Sequence, residues 1–174
     1  KIIDQEIIKL NINNNLIKVI HTDGVVSDEE TPLTAIKNSK NTSMWNSIKA
    51  QIDGDADISL SAGNTGVLFV ISKMILKMMK EVSKPALAGL WPSKKGMSVV
   101  LDLGANIECS EKNLIDFAIM GSSLFKSLFP KEQPKVALLN IGSEDIKGNE
   151  TIKSAYKTLN EKKNSEFNFA GYRR

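Results

Sequence analysis

Three short stretches of the chain concentrate residue types able to hold an anion. They are Ser61-Ala62-Gly63-Asn64-Thr65-Gly66, Asp102-Leu103-Gly104-Ala105-Asn106, and Asn140-Ile141-Gly142 running on through Ser143, Glu144, Lys147, Gly148 and Asn149 to Glu150. Glycine lets a backbone approach a ligand closely and adopt positive φ. Asparagine tolerates the same conformation and brings a donor and an acceptor. Where a helix starts directly after such a loop, its free N–H groups and dipole favour negative charge. Arginine occurs only at Arg173 and Arg174, so an anion bound elsewhere must be held by lysine, backbone N–H groups or side-chain amides. Lys147 is the lysine inside the third stretch. Asp102 closes an apolar run, where an unpaired carboxylate is costly, so it needs a partner or a chemical role. The pattern points to an anion or polar-acyl site.

Plainer readings stand beside that one. Thr65 and Asn149 are also suitable helix caps, and a Gly-Asn turn is common scaffold. His21 reads as a turn or packing residue and Cys109 as a small buried one. The Gly63–Gly66 stretch lacks the lysine of a Walker loop, and no G-x-G-x-x-G occurs, which weakens nucleotide and dinucleotide readings. With one His and one Cys, neither an intramolecular disulfide nor a Cys/His zinc site can form. No cofactor and no metal are expected.

The elements expected to position these loops alternate in type. Strands are read at Leu16–His21, Ala56–Ser61, Pro85–Leu90, Ser98–Leu103 and Lys135–Ile141, with a further one starting near Phe167. Helices are read from Thr42 or Ser43 to about Ile52, from Val67 to Met79, from about Glu111 to Phe129, and from about Asn149 to Glu161. On the Glu111 helix the expected inner side carries Leu114, Phe117, Ala118, Gly121, Leu124, Phe125 and Leu128. The Val67–Met79 helix is strongly apolar, but its length and its two lysines, Lys73 and Lys77, fit a core helix and not a membrane span. Alternating strands and helices imply βαβ crossovers and a mostly parallel sheet covered on both faces, a three-layer α/β sandwich. In such sheets ligands sit outside the carboxyl ends of the strands, so the three stretches are expected to converge along one rim.

Composition sets outer bounds. The 174 residues carry 41% hydrophobic and 25% charged residues, enough for one globular domain. The net charge of +3 gives no argument for a nucleic acid partner. No leader-type segment is visible, so the cytoplasm is the expected compartment. The chain opens at Lys1 without an initiator Met, as a piece of something longer would.

Read together and in order, four motifs resemble one family. Ser61–Gly66, Lys84-Pro85-Ala86-Leu87-Ala88, Leu101–Asn106, and Leu138–Gly142 with Lys147–Glu150 are similar to the PlsX-type phosphate acyltransferases of bacterial phospholipid synthesis. Phe117-Ala118-Ile119-Met120-Gly121 fits as well, and the resemblance runs from about Leu16 to Gly171. It implies an isocitrate/isopropylmalate dehydrogenase-like fold and a homodimer. The implied activity is transfer of a fatty acyl group from acyl carrier protein to inorganic phosphate. The acyl phosphate formed would pass to a membrane glycerol-3-phosphate acyltransferase, which implies at most peripheral membrane contact through that partner. Lys147, Asn64 and Asp102 are then the expected catalytic residues. Ser61, Gly63, Thr65, Gly66, Gly104, Asn106, Asn140, Gly142, Glu144, Gly148 and Asn149 are the expected phosphate- and acyl-donor-binding set. Within the matched region Lys37 and Lys84 stand where the family usually has Arg, Ser39 where it has Lys, and Ser143 where it has Glu. The family pattern also extends beyond both ends of this chain. Residues 1–174 therefore read as a single α/β domain, the central part of a longer acyltransferase, or alternatively as a non-catalytic remnant retaining only the fold core.

Overall fold

The computed structural model describes residues 2–94, 96–142, 147–161 and 166–173. They divide into two compact units, Lys1–Lys77 and Met78–Arg174.

The N-terminal unit is helical. It contains α1 (Ile2–Lys9), a 3-10 turn at Asn14–Leu16, α2 (Pro32–Asn38), α3 (Ser43–Asp53) and α4 (Thr65–Leu76). Local chemistry sets the helix ends. The Thr31 hydroxyl accepts from the Thr34 amide and Pro32 occupies the first turn of α2, where its missing N–H costs nothing. Thr42 caps α3 by accepting from the Trp45 amide, and Gly54, at φ 80°, ends it in the left-handed conformation. Val26, Ala35, Met44, Ile48, Val67 and Ile71 form the core, with Trp45, Leu68 and Ile75 packed against it. Apolar positions four apart, Met44/Ile48 on α3 and Val67/Ile71 on α4, place both helices on that core.

Two expected strands are absent here. Among the described residues, 17–21 and 56–61 have no strand partner, and Gly24 and Thr42 form an isolated bridge. A strand is stabilised by its neighbour's hydrogen bonds and cross-strand side chains, and periodicity alone supplies neither. Leu16, Ile20, Ile58 and Leu60 consequently remain exposed.

The C-terminal unit mixes strands and helices: β1 (Gly89–Ser93), β2 (Gly96–Val100), α5 (Glu111–Leu128), β3 (Lys135–Leu139), α6 (Glu150–Glu161) and β4 (Asn168–Arg173). Strand β1 pairs antiparallel with β2, and β3 pairs in parallel with β4, with an irregularity between Val136 and Leu138. Strand β1 runs on to Ser93, which pairs with Gly96, so Trp91 and Pro92 continue a strand that was expected to stop before them. Among the described residues the pairings are thus one antiparallel and one parallel, each in a two-stranded sheet, where a mostly parallel sheet was expected.

The capping box of Ser110 and Asn113 starts α5. Phe117 and Ala118 turn inward as periodicity requires, whereas Leu124 and Leu128 lie at the surface. Ala118, Leu138, Ala155, Leu159, Phe167 and Tyr172 make the core. Tyr156 of α6 stacks on Tyr172 with ring centroids 4.5 Å apart and meets Phe169 edge-on at 5.4 Å, clamping α6 onto β4. Among the described residues no helix is long and apolar enough to cross a membrane.

Candidate functional site

The first glycine–asparagine loop belongs to the N-terminal unit. The Ser61 hydroxyl accepts from the Gly63 amide at 3.2 Å, tightening the turn. Asn64, and not Thr65, caps α4: its Oδ1 accepts from the Val67 amide at 3.1 Å. Its Nδ2 lies 3.4, 3.1 and 2.9 Å from the carbonyl oxygens of Ser27, Asp28 and Glu30. One side chain thereby holds the segment before α2 against the start of α4. Thr65 and Gly66 are exposed at the first turn of α4, where backbone N–H groups and the helix dipole favour an anion.

The second loop is organised by a carboxylate. Asp102 Oδ1 accepts from the Leu87 amide at 2.8 Å, and Oδ2 accepts from the Asn106 amide at 2.7 Å and from Asn106 Nδ2 at 2.9 Å. Burial raises the Asp102 pKa. Hydrogen bonds from the Leu87 amide, the Asn106 side chain, and the Asn106 and Ala105 amides outweigh it, so the group sits below its ordinary value of 3.8. Asn106 Nδ2 also donates to the Pro85 carbonyl at 2.8 Å. This carboxylate has its partners: it pins the loop to the strand entry at Pro85–Leu87. Gly104, at φ 80°, leaves open space where a Cβ would stand.

Asparagine organises the third loop too. Asn140 is buried; its Nδ2 donates to the Lys147 carbonyl at 3.1 Å and its Oδ1 accepts from the Ile141 amide at 2.9 Å. Gly148 passes so close that a Cβ there would lie 2.7 Å from Asn140 Oδ1, and its φ is 95°. Asn149 caps α6 by accepting from the Ile152 amide at 2.9 Å. Gly142 is buried and Lys147 half-buried. Ser143 and Glu144 lie outside the described residues.

A cleft of about 640 Å³ in the C-terminal unit brings Asp102, Gly104 and Asn106 together with Cys109, Leu139 and Ile152. It does not include Asn140, Gly142 or Lys147 among its lining residues. The glycines and asparagines were visible in the sequence. The partners that hold them were not: Leu87 and Pro85 for Asp102–Asn106, and Ser27–Glu30 for Asn64, act through backbone atoms with no residue-type signal. His21 pairs with Asp23 at the surface, 3.0 Å apart, as a turn residue would.

A family described as "Fatty acid synthesis protein" matches residues 2–174. The chain belongs to this family. It is 59% identical, over 97% of its length, to a protein named phosphate acyltransferase from Pelagibacter ubique, and spans 52% of that relative. Proteins of the same name from Maricaulis maris and Bradyrhizobium diazoefficiens are 41% and 42% identical over 87% and 89% of the chain, which spans 43% and 44% of them. The chain thus covers about half the length of the curated family members it matches, and the resemblance read from its motifs is borne out along nearly all of its own length.

Proposed function

We propose that this chain is the central part of an enzyme that moves a fatty acyl group from acyl-acyl carrier protein to inorganic phosphate. The observation that carries the reading is the 59% identity, over 97% of the chain, to a phosphate acyltransferase. The loop chemistry supports it.

In this reaction a phosphate oxygen attacks the thioester carbonyl. A C–O bond forms, negative charge collects on the carbonyl oxygen, the C–S bond breaks and the carrier thiolate takes a proton. Phosphate is itself the nucleophile, so no acyl-enzyme through Cys109 or a serine is required. The needs are anion binding and preorganised donors for the developing oxyanion. In the N-terminal unit, Ser61, Gly63, Thr65 and Gly66 are assigned to phosphate or acyl-donor contact, with Asn64 setting the start of α4. In the C-terminal unit, the same contacts are assigned to Gly104, Asn106, Asn140, Gly142, Glu144, Gly148 and Asn149. Lys147 supplies positive charge. Asp102, whose oxygens are taken by amides, works as a positioning residue that presents Gly104 and Asn106. The finer reading of the whole enzyme is a three-layer, dehydrogenase-like homodimer in the cytoplasm that hands acyl phosphate to a membrane acyltransferase.

The alternative reading is a non-catalytic remnant that retains only the fold core. One assay separates them: folded chain is incubated with acyl-acyl carrier protein and phosphate, and carrier thiol is measured. Phosphate-dependent release establishes the first reading for this chain; silence from folded protein shows that this span does not turn over by itself. In the intact Pelagibacter ubique relative, replacing the residue aligned with Lys147 by alanine should lower kcat by about 10²–10³. Unchanged turnover would remove Lys147 from the machinery.

A further inference from the structure

Because β1 and β2 run antiparallel, the entry to β1 lies beside the exit from β2. The exit carries Asp102, Gly104 and Asn106, and the entry carries Lys84, Pro85 and Leu87. Contacts between the two run on past the last strand pair, Gly89 with Val100. The Leu103 amide donates to the Leu87 carbonyl at 3.0 Å, the Leu87 amide to Asp102 Oδ1 at 2.8 Å, and Asn106 Nδ2 to the Pro85 carbonyl at 2.8 Å. Lys84 is the next residue outward, and its ammonium donates to the carbonyl of Glu108, two residues beyond Asn106. Antiparallel pairing thus brings to the glycine–asparagine loop a lysine that stands about twenty residues from it in the chain.

That bond leaves a charge to be met. A carbonyl is neutral, and one bond leaves two of the three ammonium donors unused. Elsewhere in the C-terminal unit Lys112 pairs with Asp116, Lys126 with Glu166 and Lys153 with Glu150. Lys84 is half-buried, and among the described residues no carboxylate pairs with it. The loop's own carboxylate is engaged, since Asp102 accepts from the Leu87 amide and from Asn106. A half-buried cation has given up part of its hydration, and a counter-charge offsets that cost. On the same loop Gly104 is exposed, with open space where a Cβ would stand, and among the described residues its amide has no acceptor.

We propose that Lys84 is an anion-binding residue whose unused N–H donors hold an oxygen of inorganic phosphate at the Gly104 turn. The inference rests on the acyl-transfer reading for the identity of the anion, and it adds a second cation to Lys147. An ammonium is a compact charge with rotatable donors, so two of them can meet a tetrahedral anion while the third keeps the Glu108 carbonyl. The tether to Glu108 fixes where the charge stands, which spares the bound state part of the cost of ordering a long side chain. The Gly104 amide supplies a neutral donor to the same anion.

Titration of this chain with inorganic phosphate, followed by amide NMR, tests it, with chloride at matched ionic strength as the control. Phosphate should give saturable shifts at the Gly104, Ala105 and Asn106 amides, and chloride should not. Lys84→Gln keeps a donor for the Glu108 carbonyl but removes the charge. It should retain the parent's circular dichroism and bind phosphate about tenfold or more weakly, the effect of losing a hydrogen bond from a charged group. Lys84→Arg, which keeps the charge, should bind close to the parent. Equal affinity in Lys84→Gln overturns the proposal, as does a parent chain that shows no saturable response or responds equally to chloride. Loss of binding in both variants, with faster exchange of the Asn106 amide, assigns Lys84 to holding the loop and overturns it too. Binding is read without an acyl donor, so this inference and the catalytic reading fail separately. Phosphate bound through Lys84 with no release of carrier thiol keeps this inference and removes turnover by this chain. Phosphate-dependent release with an unchanged KM for phosphate in Lys84→Gln does the reverse.

Discussion

Asp102 is held by amides, and this sets its pH behaviour. Its folded pKa lies below the ordinary 3.8, so it contributes stability that is fully present above that value and lost as pH falls through the lower folded value. Asp102→Asn places an N–H₂ group where two N–H donors already point. Urea unfolding at neutral pH should show a loss of about 1.5–3 kcal/mol, the range for hydrogen bonds to a charged acceptor. The gap between variant and parent should close in acid below the folded pKa; a gap independent of pH would mean that the carboxylate charge is not what holds the loop. Gly148 is limited in a different way. Gly148→Ala meets both a positive φ and the Asn140 amide 2.7 Å away, so it should destabilise by about 1–3 kcal/mol in the same measurement. Wild-type stability would show that the third loop can move aside.

At the scale of elements, caps decide where helices begin, and side chains decide what those beginnings touch. The sequence pointed to Thr65 as cap and to Val67 as the start of the apolar helix, whereas Asn64 caps α4 and the helix begins at Thr65. The segment at Ser27–Glu30 settles the choice, because its carbonyls engage the Asn64 amide at the same time. Asn64→Ala should therefore cost about 1–2 kcal/mol and speed amide exchange across the segment from Ser27 to Thr31, whereas Thr65→Ala should do neither. The reverse ranking would return the cap to Thr65. Strands were less legible than helices. Lys135–Leu139 is a strand as expected, since Asn168–Arg173 returns to pair with it through α6. The run at residues 16–21 has comparable β character but no strand partner among the described residues.

For the molecule as a whole, the two units hold separate apolar clusters, each built from a few residues. In the N-terminal unit Ile71 is fully buried, and Trp45 packs against the same cluster. Ile71→Ala should lower the stability reported by Trp45 fluorescence by about 2–5 kcal/mol, with Trp91→Phe as background so that one tryptophan reports. A shift of a few tenths would mean that Ile71 is not part of the packed core. Exposed Leu16, Ile20, Ile58 and Leu60 also belong to this scale: they are apolar residues patterned for sheet neighbours that the described residues do not supply.

The sequence by itself determined the family, through four motifs in order. It also determined the bounds of α3, α5 and α6 and the positions of the glycine–asparagine loops, because capping, left-handed glycine and apolar periodicity are local properties of a few adjacent residues; α1 and α2 were not read from it. Only the tertiary structure decided that Asp102 and Asn64 are tied by backbone groups 15 and 34 to 37 residues away, and that β1 and β2 run antiparallel. Those outcomes depend on which backbone donors and acceptors meet across the chain, and each residue's backbone carries the same groups whatever its side chain.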